Sequence, residues 1–366
     1  ADGSWPGLAP YTRGADALGS RPHGWLICQE LGCTAPADFN VVLREALERG
    51  QNAVQLSVAS SPDGRGLNLD TLAAVESALH GVDLAAVPLF AAAGVTALPL
   101  AQLLHTWLRS QDKAAELHGG LLADPLTTLV RRGVLPCRLG EALDDMATLT
   151  TWAQREGLRL RTIGVDAGQW AEAGGHAVQE LAFGLATGID YVRALDARGV
   201  RIDDAAPRVL FTFALGSNFF MEIAKLRAAR LLWARAVQAA GGGAEAQRLV
   251  SHGRTSRWNK TVLDPHVNLL RATTEACAGV MGGCSGLQVG AFDECYRAPD
   301  TFSRRLARNL QIILQEECQL GAVVDPAGGS WLVESLTHQL AAKAWTLFQE
   351  IERRGYLGIY LPSFGD

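Results

Sequence analysis

Paired cysteines, recognisable catalytic signatures and any large excess of one charge are all missing from this 366-residue chain. Lys and Arg number 33 against 38 Asp and Glu. A net charge of −5 gives no general attraction to nucleic acid. Seven cysteines, at positions 28, 33, 137, 277, 284, 295 and 318, form no CxxC, and no His stands at zinc-finger spacing from them. Scattered free thiols predict a reducing, cytoplasmic setting rather than a disulfide framework or a zinc site. The opening ADGSWPGLAP has neither a basic start nor an apolar core, so no secretory signal is expected. One run, Leu84 to Leu104, carries no charge and is long enough for a bilayer, but Pro88, Gly94 and Pro99 interrupt it. It predicts a buried strand, a turn and the start of a helix, and no membrane partner. G-x-S-x-G, H-E-x-x-H, Walker and G-x-G-x-x-G motifs are absent, so no short motif names a reaction.

The chain does carry a repeated strand-then-helix pattern. The clearest unit runs from Arg208 to Val237. Val209 to Leu215 is a short apolar run with the composition of a strand buried on both faces. Gly216 breaks it, Ser217 or Asn218 can cap the next helix, and Phe219, Ile223, Leu226, Trp233 and Val237 recur at helical spacing. Eight strands are predicted: Ala53–Val58, Ala86–Ala92, His118–Ala123, Leu158–Asp166, Val209–Leu215, Arg248–Arg254, Leu287–Phe292 and Ala322–Asp325. Helical patterns at Pro36–Arg49, Asp70–Leu79, Leu100–Arg109, Gly175–Ala194, Pro265–Val280, Phe302–Gln319 and Trp331–Arg353 accompany them. The connection from Leu126 to Glu156 is the least regular. This order predicts an α/β fold, a (β/α)8 TIM barrel over 36–366 preceded by an extended N-terminal arm over 1–35. A doubly wound open sheet is the alternative.

A barrel puts its chemistry at the C-terminal ends of the strands. The residues there are Asp124, Asp166 to Gln169, Gly216 to Asn218, His252 to Arg257, Asp293 and Asp325 to Ser330. His252-Gly253-Arg254 sets an imidazole and a guanidinium beside a glycine that lets a ligand approach the backbone. Asp325 to Trp331, DPAGGSW, is a Gly-rich turn entering a helix, whose N–H groups could meet an anion. Arginines cluster at 227, 230 and 235 and again at 304, 305 and 308, where a solvated helix face or a subunit contact is expected rather than a phosphate site.

Longer segments carry a resemblance. NFFMEIAKLRAARLLWA, DPHVNLLRATTEA, PDTFSRRLARNLQIILQEE and DPAGGSWLVESLTHQLAAKAW, collinear from Asn218 to Trp345, resemble the substrate barrel of methylmalonyl-coenzyme A mutases. WPGLAPYTRG resembles the arm of the small, non-catalytic subunit of heterodimeric bacterial mutases. The resemblance implies adenosylcobalamin-dependent radical isomerisation of methylmalonyl-CoA and succinyl-CoA, with the cofactor supplying the difficult chemistry. Catalytic chains of the family place a His after the fourth strand. In GVDAGQWAEAGGHAVQELA that position falls on Gln169, so the catalytic set is expected to be empty here. The carboxylate-binding Arg segment is not reproduced by RRGVLPCRLG, although Arg138 is a displaced candidate. The expected strand-end Gln falls near Leu122, and no Tyr lies between Tyr11 and Trp25.

Arg208, His252, Arg254 and Asn218 remain as vestigial substrate-binding candidates. The cobalamin domain with its D-x-H-x-x-G motif is expected to be absent. Asp264-Pro265-His266 gives D-x-H, but Leu269 stands at the glycine, so a helix cap is expected there. The chain alone is expected to bind no cofactor and no metal. Its expected partner is a catalytic mutase chain in a heterodimer, or a second copy of itself, with acyl-CoA as a further candidate ligand. An active substrate-binding subunit served by a separate cobalamin-binding chain, and a stand-alone barrel for another acyl-CoA, are the alternatives.

Overall fold

A computed structural model describes residues 5–19, 21, 23–59, 66–113 and 117–355. Among them eight parallel strands close into a barrel in sequence order. They are β1 (Leu26–Glu30), β2 (Ala53–Ser57), β3 (Leu89–Ala92), β4 (His118–Ala123), β5 (Arg159–Asp166), β6 (Val209–Leu215), β7 (Ser251–Thr255) and β8 (Gly286–Gln288). Closure comes from Leu26 and Ile27 pairing with Gly286 and Leu287. Outside lie α1 (Pro36–Glu48), α2 (Leu72–Leu79), α3 (Ala97–Arg109), α4 (Pro125–Arg132), α5 (Leu139–Arg155), α6 (Gly168–Glu172), α7 (Ala177–Asp196), α8 (Ile202–Ala205), α9 (Phe219–Ala239), α10 (Asn268–Met281), α11 (Thr301–Ile312) and α12 (Trp331–Arg354).

The expected TIM barrel is therefore observed, with one strand reassigned. Ala322–Asp325, predicted as the eighth strand, instead follows a short tight helical turn at Leu320–Ala322 and stays outside the sheet. The missing strand is Leu26–Glu30, which the sequence pattern assigns to the arm. Its five residues sit among glycines and prolines that mask the apolar run. Residues 26–30 are thus barrel, not arm. The expected strands at Arg248–Arg254 and Leu287–Phe292 shift to Ser251–Thr255 and Gly286–Gln288. The run from Leu84 to Leu104 resolves into β3 and the first turns of α3, as its interruptions predict, and no helix among the described residues is long and apolar enough to cross a membrane. The irregular third connection is two helices, α4 and α5.

α9 departs most from its sequence pattern. Its apolar spacing marks one face, yet Glu222, Lys225, Arg227 and Arg230 are buried as well. The helix lies against the barrel on one side and is roofed by α12, α7 and α10 on others. A buried charge must be paired and hydrogen-bonded. Lys225 Nζ meets Glu180 on α7 at 2.7 Å and the Ala214 carbonyl at 2.6 Å. Arg227 pairs with Asp325 and with Glu334 at the start of α12. Arg230 donates to the carbonyls of Tyr11, Thr12 and Gly282 at 3.1, 3.1 and 2.8 Å, tying the arm to the barrel wall. Of the first arginine cluster, only Arg235 lies on a solvated face as expected; Arg227 and Arg230 hold the fold together.

Candidate functional site

The strand ends open into a cavity of about 490 Å³. Glu30, the last residue of β1, is its charged hub. It accepts from Arg257 Nη2 at 3.1 Å, Gln288 Nε2 at 3.0 Å and Ser57 Oγ at 3.5 Å. Arg254, at the inward end of β7, turns to Glu294, with Nη2 to Oε2 at 2.9 Å, and lies 3.9 Å from Glu30. Burial alone would raise the Glu30 carboxyl, but Arg254 and Arg257, with Gln288 and Ser57, outweigh it and hold it below the usual range. Two guanidiniums and two carboxylates thus neutralise one another across the opening.

The other half of the mouth is built on Asp124, the N-cap of α4. It accepts from Tyr191 Oη at 2.6 Å, Thr127 N at 3.0 Å and Asp166 N at 3.0 Å. Burial still pushes its carboxyl above the ordinary value despite these donors. Asp166 pairs with Arg131 at 2.5 Å. Gln169, at the start of α6, donates from Nε2 to Thr127 Oγ1 at 3.1 Å, while its Oε1 is buried without a partner. Leu122 lines the floor.

Beneath the opening the barrel is filled. Cys28, Ala53, Phe90, Leu122 and Leu210 form an apolar cluster of their own, distinct from the core under the helices. His252 stands edge-on to Phe90, with ring centroids 4.5 Å apart, and is 7% exposed. Burial first, and then Arg161, push its pKa down to about 4, so the ring is neutral at physiological pH. Thr162 points outward to Thr150 at 2.7 Å, so the strand alternation turns Arg161 inward. There it donates to the carbonyls of Pro207 and Val209.

The sequence candidates therefore separate. Gln169 and Arg254 share the mouth. His252, read from the sequence as a mouth residue, is an interior one, two residues before Arg254 on the same inward face of β7 and so one layer below the mouth. Arg208 lies at the opposite end of the barrel, donating to the Leu158 and Leu160 carbonyls at 3.3 and 2.9 Å. Asn218 lines a separate cavity of about 630 Å³ between α7, α9 and α12, at the N-cap of α9 but without a side-chain capping bond. Arg138 is exposed at the N-cap of α5, away from the mouth. The glycine-rich turn spends its N–H groups internally, Gly329 N donating to Glu334 at 2.9 Å.

Glu30, Tyr191, Glu294 and Arg161 escape sequence reasoning. Glu30 follows from recognising β1. Arg161 is marked by nothing except its place between two outward residues, Leu160 and Thr162.

The D-x-H residues do not form a lower-ligand site for a cobalamin. His266 of the D-x-H stacks on Phe292, centroids 5.0 Å apart, in the tight turn before α10. At the mouth Arg254 and Arg257 are paired with Glu294 and Glu30, while Gln169 Oε1 stays open. Among the described residues no cluster of His, Cys, Asp and Glu has the makings of a metal site.

A closed parallel (β/α)8 barrel with a polar mouth, a filled interior and a tethered arm defines the class as a TIM barrel. A family model described as methylmalonyl-CoA mutase matches residues 1–359. The methylmalonyl-CoA mutase small subunit of Streptomyces virginiae is 41% identical over 358 residues, covering 96% of this chain and 55% of the relative. That of Porphyromonas gingivalis is 35% identical over 361 residues, covering 96% and 55%. The methylmalonyl-CoA mutase of Escherichia coli is 34% identical over 380 residues, covering 96% and 52%. The chain belongs to the methylmalonyl-CoA mutase family. It spans about half the length of these relatives.

Proposed function

We propose that this barrel serves as a non-catalytic, small-subunit-like component of an adenosylcobalamin-dependent methylmalonyl-CoA mutase, paired with a catalytic mutase chain in the cytoplasm. The neutralised mouth carries the reading. Arg254 and Arg257 would have to leave Glu294 and Glu30 before gripping a substrate carboxylate. Gln169 stands where the family uses an imidazole. It can donate a hydrogen bond but cannot act as an acid, and its N–H is already held by Thr127. Losing a thioester donor and a carboxylate clamp together costs several powers of ten in rate. Phe90, Leu122 and Leu210 occupy the axis along which an acyl-CoA would thread. Arg208 and His252 are read as vestiges held by new structural partners, and Asn218 as an exposed vestige at the N-cap of α9. The chain itself needs no cofactor in this role, since the partner would supply the cobalamin.

The test is reconstitution. Mixed with a catalytic mutase chain, this protein is expected to co-elute as a heterodimer, with activity following the partner's site. Isomerisation of methylmalonyl-CoA by this chain with only a separate cobalamin-binding polypeptide would replace the proposal with the active-subunit reading. The unpartnered Oε1 of Gln169 is the observation favouring that second reading, because it leaves the amide with an unfilled hydrogen-bonding position at the mouth.

A further inference from the structure

We propose that the cleft between α1 and α11 binds a phosphoryl anion, through Arg308 at its floor and Arg49, Arg304 and Arg305 at its rim. These four arginines and a single carboxylate, Glu45, line one small cleft outside the end of β1. Arg49 is engaged by Glu45 at 3.3 Å. The three on α11 form no ion pair among the described residues. Arg304 donates to the Pro299 carbonyl at 2.5 Å, and Arg305 lies over the Phe302 ring at 5.4 Å. Spacings of three and four residues put Arg304 and Arg305 on the same helix face as Arg308, where like charges repel unless an anion joins them.

Arg308 supplies the second, independent observation. It is only 6% exposed, yet its Nε is buried with no acceptor. A buried donor without a partner is costly and calls for a ligand or water. Burial first, then Arg49 and Arg305, disfavour its charged form, Glu45 offsets them only in part, and an anion would favour it further. The enclosed part of the cleft is about 20 Å³. That is room for one oxygen rather than a whole molecule, a water needing about 10–15 Å³. The fit is an anion that meets the Arg308 guanidinium from the open side of the cleft and leaves its other oxygens for the rim. Four guanidiniums facing one carboxylate in this cleft match a phosphoryl dianion better than a further single carboxylate, and guanidiniums meet its oxygens in pairs.

The site is independent of the subunit reading, and its test uses this chain alone, so failure of one leaves the other standing. Calorimetric titration with inorganic phosphate in low-salt buffer is expected to show saturable binding at one site and a rise in melting temperature. Arg308→Gln and Arg305→Gln should each weaken binding at least tenfold while melting normally without phosphate. Arg257→Gln at the barrel mouth should not change it. Glycerol 3-phosphate binding like phosphate would identify a phosphomonoester as the ligand; binding of orthophosphate alone would identify the free anion. Absence of saturable binding, or equal binding by the two variants, overturns the proposal. So does tighter binding of an aspartate-rich peptide than of phosphate, which would make the cleft a contact for an acidic protein segment.

Discussion

The rim of the barrel and the belt of helices around α9 both answer arginine or lysine with carboxylates, but at different depths. At the rim, Arg257 is 52% exposed and its partner Glu30 35%. In the belt, Lys225 and Glu180 are 2% and 1% exposed, and Arg227 and Asp325 are 0% and 2%. Coulomb attraction screened by water contributes little to folding, whereas a charge stranded in the interior is severely destabilising. Rim pairing therefore governs what the mouth can bind, and belt pairing governs whether the barrel stands.

Five substitutions probe that contrast. Lys225→Met strands Glu180 and Glu222 and should cost about 3–5 kcal/mol in denaturant unfolding. Adding Glu180→Gln should recover part of that loss; no recovery would mean the pair is not coupled. Interior histidine sets the next effect. The pKa of His252 is pushed down to about 4, so the folded chain refuses a proton that the unfolded chain accepts. Its contribution is full above the unfolded value of about 6.5 and is lost as pH falls from there through about 4, by up to roughly 3 kcal/mol. His252→Leu should flatten that part of a melting-temperature profile, and an unchanged slope would place the titration elsewhere. Glu294→Gln, at the rim, should cost only about 1–2 kcal/mol. It should free Arg254 and give the mouth a measurable affinity for a dicarboxylate such as methylmalonate, absent from the parent protein. Arg131→Ala should change stability by less than about 1 kcal/mol, since Arg131 is 59% exposed beside Asp166.

The fold is largely legible in the sequence because strand and helix periods repeat with little interruption. β4 and β6 match their predicted bounds at both ends. β1 is hidden because five residues between Gly24 and Gly32 give too short a window for a period. α9 is half legible: helical spacing finds Phe219 to Val237, but no spacing rule says that the polar side will be roofed by a helix beginning nearly one hundred residues on. At the site, Gln169 and Arg254 are found because position along a strand or loop fixes the mouth. His252 is misplaced because the strand runs on past it to Thr255, leaving it a layer below Arg254. The charge pairing of Arg254 with Glu294 depends on two loops meeting in space, which one-dimensional patterns do not report.

Closure of the ring through its first and last strands has a consequence for synthesis. Leu26 finds its neighbour at Gly286, roughly 260 residues downstream. Until that stretch leaves the ribosome, the nascent sheet carries open backbone at both margins, an invitation to pair with another growing chain. Assembly of the barrel is thus exposed to aggregation until β8 emerges, and slowing elongation before residue 288 should lengthen that vulnerable interval.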